Sequence, residues 1–207
     1  MSKMDFKKDL KYLYKPSSVD VSFVEVPQMN FLMIDGRGDP NTSPEYAKAV
    51  EALFALAYGL KFKVKRSDSG LDYGVMPLEG LWWMKGMSQF SVENKEAWEW
   101  TMMIAQPEYV TPELFAETSA EVEKKKGMPV LSSVRFEPYY EGHAAQIMYI
   151  GPYSEEGQTI ARIHASINQK EYRLRGKHHE IYLNDPRKTA SEKLQTIIRQ
   201  PFEKVEG

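Results

Sequence analysis

Two short stretches hold the side chains best suited to chemistry. In His179-Glu180-Ile181-Tyr182-Leu183-Asn184-Asp185-Pro186, an extended backbone puts Glu180 and Tyr182 on one face and Ile181 and Leu183 on the other. In Pro77-Leu78-Glu79-Gly80-Leu81-Trp82-Trp83-Met84, the two tryptophans point to opposite sides of a strand. A carboxylate walled by aromatic faces can hold a flat or cationic organic molecule through stacking, cation-π attraction and charge pairing. Desolvated by those rings, the same group can take a raised pKa and act as an acid or base. Ile181 and Leu183 suit a helix-packed core, so Glu180 and Tyr182 are expected to point into a cleft. One tryptophan of the pair fills the core and the other lines a pocket; the sequence does not say whether that is Trp82 or Trp83. Glu79, Tyr73, Tyr140 and Tyr149 complete the candidate ligand-binding set, with Tyr139 beside them.

Other chemistries lack their residues. The chain has no cysteine, which removes disulfides, thiolate zinc sites and cysteine nucleophiles, and which suits a reducing cytoplasm. Gly36-Arg37-Gly38 lacks the later glycine of a dinucleotide fingerprint, nothing matches a Walker loop, and there is no Gly-x-Ser-x-Gly elbow. Of the four histidines, His178 and His179 are adjacent on a strand and face opposite ways, while His164 sits on an apolar helix face and reads as a packing residue. No metal or cofactor is expected. With 27 Lys or Arg against 29 Asp or Glu in 207 residues, the net charge of -2 gives no basic stripe for nucleic acid. No run of about 18 apolar residues is present, so neither membrane spanning nor export is expected.

The elements that would position these residues are well signalled. Residues 1–19 are polar and lysine-rich and read as an arm with one short helix, too few for a DNA-binding helical domain. Val21 to Val26 and Phe31 to Ile34 read as a hairpin-like pair of strands. Ser43 and Pro44 then open an amphipathic helix bearing Ala47, Val50, Leu53, Phe54 and Ala57, expected to close near Gly59. Tyr73 to Met84 and Glu96 to Gln106 read as strands joined by a polar stretch around Ser88 to Lys95. Thr111 to Gly127 is a second capped helix, whose Lys124-Lys125-Lys126 run is read as a complement to the helix dipole rather than a binding patch. Strands around Val134 to Glu137 and Gln146 to Ile150 precede a helix opening at Ser154, and two strands follow at Lys177 to Leu183 and Leu194 to Arg199.

The halves resemble each other. Leu32-Met33-Ile34-Asp35-Gly36 and Ile147-Met148-Tyr149-Ile150-Gly151 each precede a helix, and Met103-Ile104-Ala105-Gln106-Pro107 ends one half as Ile197-Ile198-Arg199-Gln200-Pro201 ends the other. The expected fold class is α+β, with two copies of a strand-helix-strand-strand module side by side. Their strands would form a concave antiparallel sheet with a ligand groove between the copies and helices on the other face. The expected boundaries are an arm over 1–19 and a domain over 20–207, with module one at about 20–110, a connector helix at about 111–127 and module two at about 128–203.

Glu180-Ile181-Tyr182-Leu183-Asn184-Asp185-Pro186, after a duplicated module, resembles the GyrI-like small-molecule-binding domains, which are built from two SHS2 modules. The likeness extends over nearly the whole chain after about residue 20. It implies a small-molecule ligand, aromatic or cationic, in the groove between modules, with Glu180 as the partner of its cationic or polar groups. Multidrug-responsive transcription activators carry a similar domain behind a DNA-binding region. The Pro77 to Met84 segment, Gly38-Asp39-Pro40-Asn41 and Arg199-Gln200-Pro201 look more like a stand-alone branch described as cyclopropanoid cyclopropyl hydrolases, which open the strained ring of DNA-alkylating compounds such as yatakemycin in an aromatic cage. On that resemblance Trp82 or Trp83, Tyr149 and Tyr182 form cage walls, Glu180 orients or deprotonates water, and a tyrosine hydroxyl donates to the carbonyl oxygen that gains charge. The alternatives are a non-catalytic protein that sequesters or senses hydrophobic or cationic ligands and, more weakly, a protein that binds DNA gyrase.

Overall fold

In the computed structural model, residues 6–86 and 95–205 are described. The apolar alternation of the strand segments is satisfied by one antiparallel sheet in the order β1 (Ser22–Val26), β6 (Gly142–Ile150), β9 (Gln195–Lys204), β8 (His178–Tyr182), β3 (Leu78–Met84), β4 (Trp98–Gln106), β2 (Met29–Arg37), β5 (Arg135–Tyr139), with the short β7 (Tyr172–Leu174) also paired to β9. The order is symmetric about the β8–β3 seam. On each side the helix-flanked strands of one copy are completed at the edge by a strand from the other: β1 pairs with β6, and β5 with β2. The expected hairpin of β1 with β2 is therefore not formed. Pro27 and Gln28 carry the chain from the β1 edge to β2, beside the β5 edge, so the two ends of the strand order approach each other there and the two modules exchange their first strands.

The helices follow their caps, with two differences. Ser43 accepts from the Tyr46 amide and Pro44 opens α3 (Pro44–Arg66), but that helix runs past Gly59. A Cβ at Gly59 would lie 2.9 Å from Thr118 Cγ2, so this glycine permits close packing against α4 (Pro112–Lys126) and is not a stop. In α4, Thr111 caps the start and Gly127 ends the helix with φ 61°. The helix of the second copy, α5 (Gly157–Gln169), is not capped by Ser154; a 3-10 turn at Tyr153–Glu155 precedes it. The expected linker around Ser88 to Lys95 lies, through residue 94, outside the described residues.

Strand parity fixes what covers each face. Trp82 lies opposite Trp100 and His178, and Glu180 opposite Ile198. Trp100 packs edge-on against Tyr46 of α3, while Ile198 packs with Ile160, Ile163 and Ile167 of α5. Helix α3 and the helix of the second copy, α5, therefore share one face of the sheet with Trp82, Glu180 and Tyr182. The other face carries Glu79, His179 and Arg199 and is covered by the N-terminal arm, which forms two single turns, α1 (Phe6–Asp9) and α2 (Lys11–Tyr14). Leu13 and Tyr14 are buried there, and Arg199 donates to the Leu13 carbonyl. The arm thus occupies the helix-free face expected to hold the groove, and the groove opens on the helix side.

Candidate functional site

Between α3 and α5, over the β8–β3 seam, lies a cleft of about 1840 Å³. Its inner wall grows from a glycine. Gly80 lies opposite Glu180 across the seam, and a Cβ there would come within 2.7 Å of the Trp82 indole nitrogen. The missing side chain lets the Trp82 ring lie down beside Glu180. Trp82 stacks with Tyr46 at 6.1 Å and meets Trp98 edge-on at 5.3 Å; Tyr153 meets Tyr182 edge-on at 5.7 Å. These five rings wall a carboxyl site, since aromatic pairs favour offset and edge-to-face contacts.

Hydrogen bonds orient the carboxyl. The Trp82 Nε1–H donates to the Tyr182 hydroxyl at 2.9 Å, and that hydroxyl donates to Glu180 Oε2 at 2.8 Å. Glu180 Oε1 is 3.0 Å from His178 Nε2. Burial disfavours the Glu180 anion, but the His178 contact and the Tyr182 hydrogen bond outweigh it and hold its pKa below the usual value. Glu156, at the foot of α5, faces it. Burial and then the Glu180 charge push Glu156 up to about 10, and its Oε2 is buried without a hydrogen-bond partner. One carboxyl is thus ionised and its neighbour protonated at neutral pH, the division of labour that separates a base from an acid.

The cleft receives Glu180, Tyr182 and Trp82 from the candidate set. The others lie elsewhere, for identifiable reasons. Trp83 points to the opposite face, where Lys177 sits 3.3 Å from its ring centroid. Glu79 also faces that side, accepts from the Tyr14 hydroxyl at 2.8 Å and lies 3.0 Å from His179 Nε2. Tyr73 is buried against Phe6 and Tyr109, and Tyr140 is 58% exposed at the turn between β5 and β6. Tyr149 has its hydroxyl on the Pro152 carbonyl and packs with the α5 core, outside the cleft lining. Tyr46, Trp98, Tyr153 and Glu156 went unrecognised in the sequence. Among the described residues no group of three or more His, Asp or Glu is arranged to hold a metal ion, and no helix is long and apolar enough to cross a membrane.

The GyrI-like small molecule binding domain matches residues 19–202. Among solved structures, an uncharacterized conserved protein from Listeria innocua is 42% identical, with 97% of this chain and 100% of that one covered and a TM-score of 0.90. A hydrolase from Listeria innocua is 39% identical over 97% of this chain and 100% of its own, with a TM-score of 0.85. The EcmrR C-terminal domain, 13% identical over 90% of this chain and 98% of its own, has a TM-score of 0.57 and shares the fold. No curated protein matches. With a ligand-sized cleft at the seam of a duplicated module and the family match spanning that whole sheet, the chain belongs to the GyrI-like small-molecule-binding domain family.

Proposed function

We propose that this cleft binds flat aromatic xenobiotics and hydrolyses a strained cyclopropane conjugated to a carbonyl, as a cytoplasmic detoxifying enzyme. The observation that carries the reading is that Glu180 and Glu156 share one cleft inside a ring of aromatic side chains, where burial and the Glu180 charge favour a proton on Glu156 while His178 and Tyr182 favour the Glu180 anion. The hydrolase from Listeria innocua, 39% identical over almost the whole chain, supports it.

In this reading the rings hold the flat substrate and Glu180 takes a proton from water as the water oxygen bonds to the ring carbon. The adjoining carbon–carbon bond breaks, and its electron pair passes through the conjugated system to the carbonyl oxygen. Because the Tyr182 hydroxyl proton is committed to Glu180, Glu156 rather than a tyrosine supplies the proton to that oxygen. A proton passing from Glu180 back to Glu156 restores the pair, and the net change is addition of one water. Release of ring strain lets positioning and proton transfer suffice without a covalent nucleophile.

The test is incubation of the purified protein with yatakemycin, followed by mass spectrometry. Growth of a water-added product above the buffer control supports hydrolysis; its absence, with Glu180→Gln indistinguishable from the unaltered protein, removes it. A non-catalytic cation-binding role is favoured by one feature. Among the described residues the ion-pair partner of Glu180 is a histidine, with no Lys or Arg neutralising it, so a bound organic cation could fill that place. Binding without turnover in the same experiment selects that reading.

A further inference from the structure

The aromatic wall of the cleft does not stop at the carboxyl pair. Along α3, Phe54, Tyr58 and Phe62 recur every four residues and so form one stripe. Their rings follow one another at 6.4 and 6.3 Å with interplanar angles of 32° and 26°. Tyr58 is 47% and Phe62 48% exposed, an unusual amount of open ring surface side by side on one helix. All three line the same cleft as Glu180. From Tyr46 to Phe62 the helix advances about 24 Å, and the cleft volume of about 1840 Å³ exceeds the roughly 300–1,000 Å³ of a pocket for one compact ligand.

The two ends of the cleft differ in charge. At the inner end Glu156 and Glu180 stand near Lys95, whose ammonium lies 5.5 Å from the Trp98 ring centroid, and Glu51 lies a turn beyond Tyr46. At the outer end stand Arg66, in the last turn of α3, and Lys125 and Lys126, in the last turn of α4. Nearby Lys63 is tied to Glu117 and Glu121, both at 2.7 Å, which also accounts for the one carboxylate, Glu121, on that part of the wall. Lys125 and Lys126 have no ion-pair partner among the described residues. A helix-dipole role accounts for a basic last turn, but not for two of its three lysines turning toward an aromatic ridge on another helix.

We infer that the Phe54–Tyr58–Phe62 ridge with Arg66, Lys125 and Lys126 is a second subsite, which takes the anionic or acceptor-rich outer end of an elongated, multi-ring aromatic ligand whose other end lies at Glu180. The inference rests on the inner cleft being a ligand site. The ridge offers stacking faces along the ligand, and the three cations attract a terminal carboxylate or carbonyl.

The test compares three probes by fluorescence titration: an indole-2-carboxamide monomer, the linear trimer ending in a carboxylate, and the trimer's methyl ester. The trimer acid is expected to bind at least tenfold more tightly than the monomer. Tyr58→Ala with Phe62→Ala should lower trimer affinity tenfold or more and leave the monomer within twofold. Lys125→Gln with Lys126→Gln should abolish the preference for acid over ester, as should raised salt in the unaltered protein. These side chains are exposed, and an unchanged thermal midpoint verifies that the variants fold. Trimer binding that ignores both double variants overturns the subsite, as does equal loss of monomer and trimer, or no binding of the trimer. Monomer affinity and its response to Glu180→Gln report on the inner site separately, so the two readings fail in distinguishable ways.

Discussion

The Trp82 indole nitrogen donates to the Tyr182 hydroxyl across the seam between the two copies, 2.9 Å apart. Since that hydroxyl has one proton, accepting from Trp82 leaves it free to donate to Glu180 Oε2 at 2.8 Å. Each copy thus supplies one half of a relay that neither could form alone. Trp82→Phe keeps an aromatic wall but removes the donor. It should cost about 1 kcal/mol of stability, read from the urea midpoint, and should loosen ligand binding more than it alters the fold. Unchanged affinity for a cyclopropane substrate or its product would show that the relay does not set the orientation of Glu180.

Gly80 makes room for that tryptophan. A methyl group at residue 80 would meet the Trp82 nitrogen at 2.7 Å and the Met102 sulfur at 3.2 Å, so Gly80→Ala must displace the indole. Overpacking of this kind costs roughly 1–3 kcal/mol. Tryptophan fluorescence should shift and ligand affinity fall together. An altered spectrum with intact binding would remove Trp82 from the wall.

If Glu180 is the base and Glu156 the acid, turnover needs one ionised and one protonated. Glu180→Gln is expected to slow hydrolysis by about 10²–10⁴-fold, and Glu156→Gln to slow it by a smaller factor, since an amide still donates a hydrogen bond without transferring a proton. The rate in the unaltered protein should fall on the alkaline side near pH 10, where Glu156 ionises, and on the acid side below the ordinary carboxylate value of 4.5, where Glu180 gains a proton. Loss of the alkaline limb in Glu156→Gln is the specific signature.

The parity of the two motifs was legible: Trp82 and Trp83 do part, and Glu180 and Tyr182 do share a face. Which face carries the cleft was not legible, because both are covered. Ile181 and Ile197 look like residues under a helix, yet they face the side closed by the arm, where Leu13 and Tyr14 complete the packing. The strand exchange was hidden for a related reason. β1 and β2 are close in sequence, and only their partners, distant in the chain, reveal that they belong to opposite halves of the strand order. Glu156 sits in Glu155-Glu156-Gly157, and nothing in those three residues signals that its side chain is buried.

Behind the seam, His179 bridges two carboxyls, with Nδ1 2.9 Å from Glu141 and Nε2 3.0 Å from Glu79, and Arg199 lies 3.1 Å from Glu141. Burial disfavours the imidazolium, but the Glu141 and Glu79 contacts outweigh it and raise the His179 pKa above 6.5. The His179 contribution to stability is therefore complete below about pH 6.5 and lost as the pH rises through the higher folded value. Glu141 is opposed by burial but held down to about 2 by His179 and Arg199, so its contribution is present above about 4.5 and lost as the pH falls toward 2. His179→Leu leaves buried carboxyls without their bridge and should cost about 3–5 kcal/mol in urea unfolding at pH 6. The stability loss above pH 6.5 should flatten in the variant. A cost below about 1 kcal/mol would mean that the arm and sheet are held by packing alone.

Glu156 should show the opposite economy, a functional group kept at the expense of stability. Its folded pKa of about 10 lies above the ordinary 4.5, so between those values the native state binds a proton that the unfolded chain has released. Unfolding stability must then fall as the pH rises across that window. Glutamine preserves the shape of the neutral carboxyl and cannot ionise in either state. Glu156→Gln should therefore match the unaltered protein near pH 4.5 and become increasingly more stable than it toward pH 9, measured by urea midpoints at fixed ionic strength. The same substitution should slow turnover if Glu156 is the acid. A variant that is both more stable at pH 9 and less active would identify this carboxyl as one retained for chemistry. A pH-independent difference in stability would mean instead that Glu156 is not protonated in the folded protein, and the acid–base assignment of the pair would fall with it.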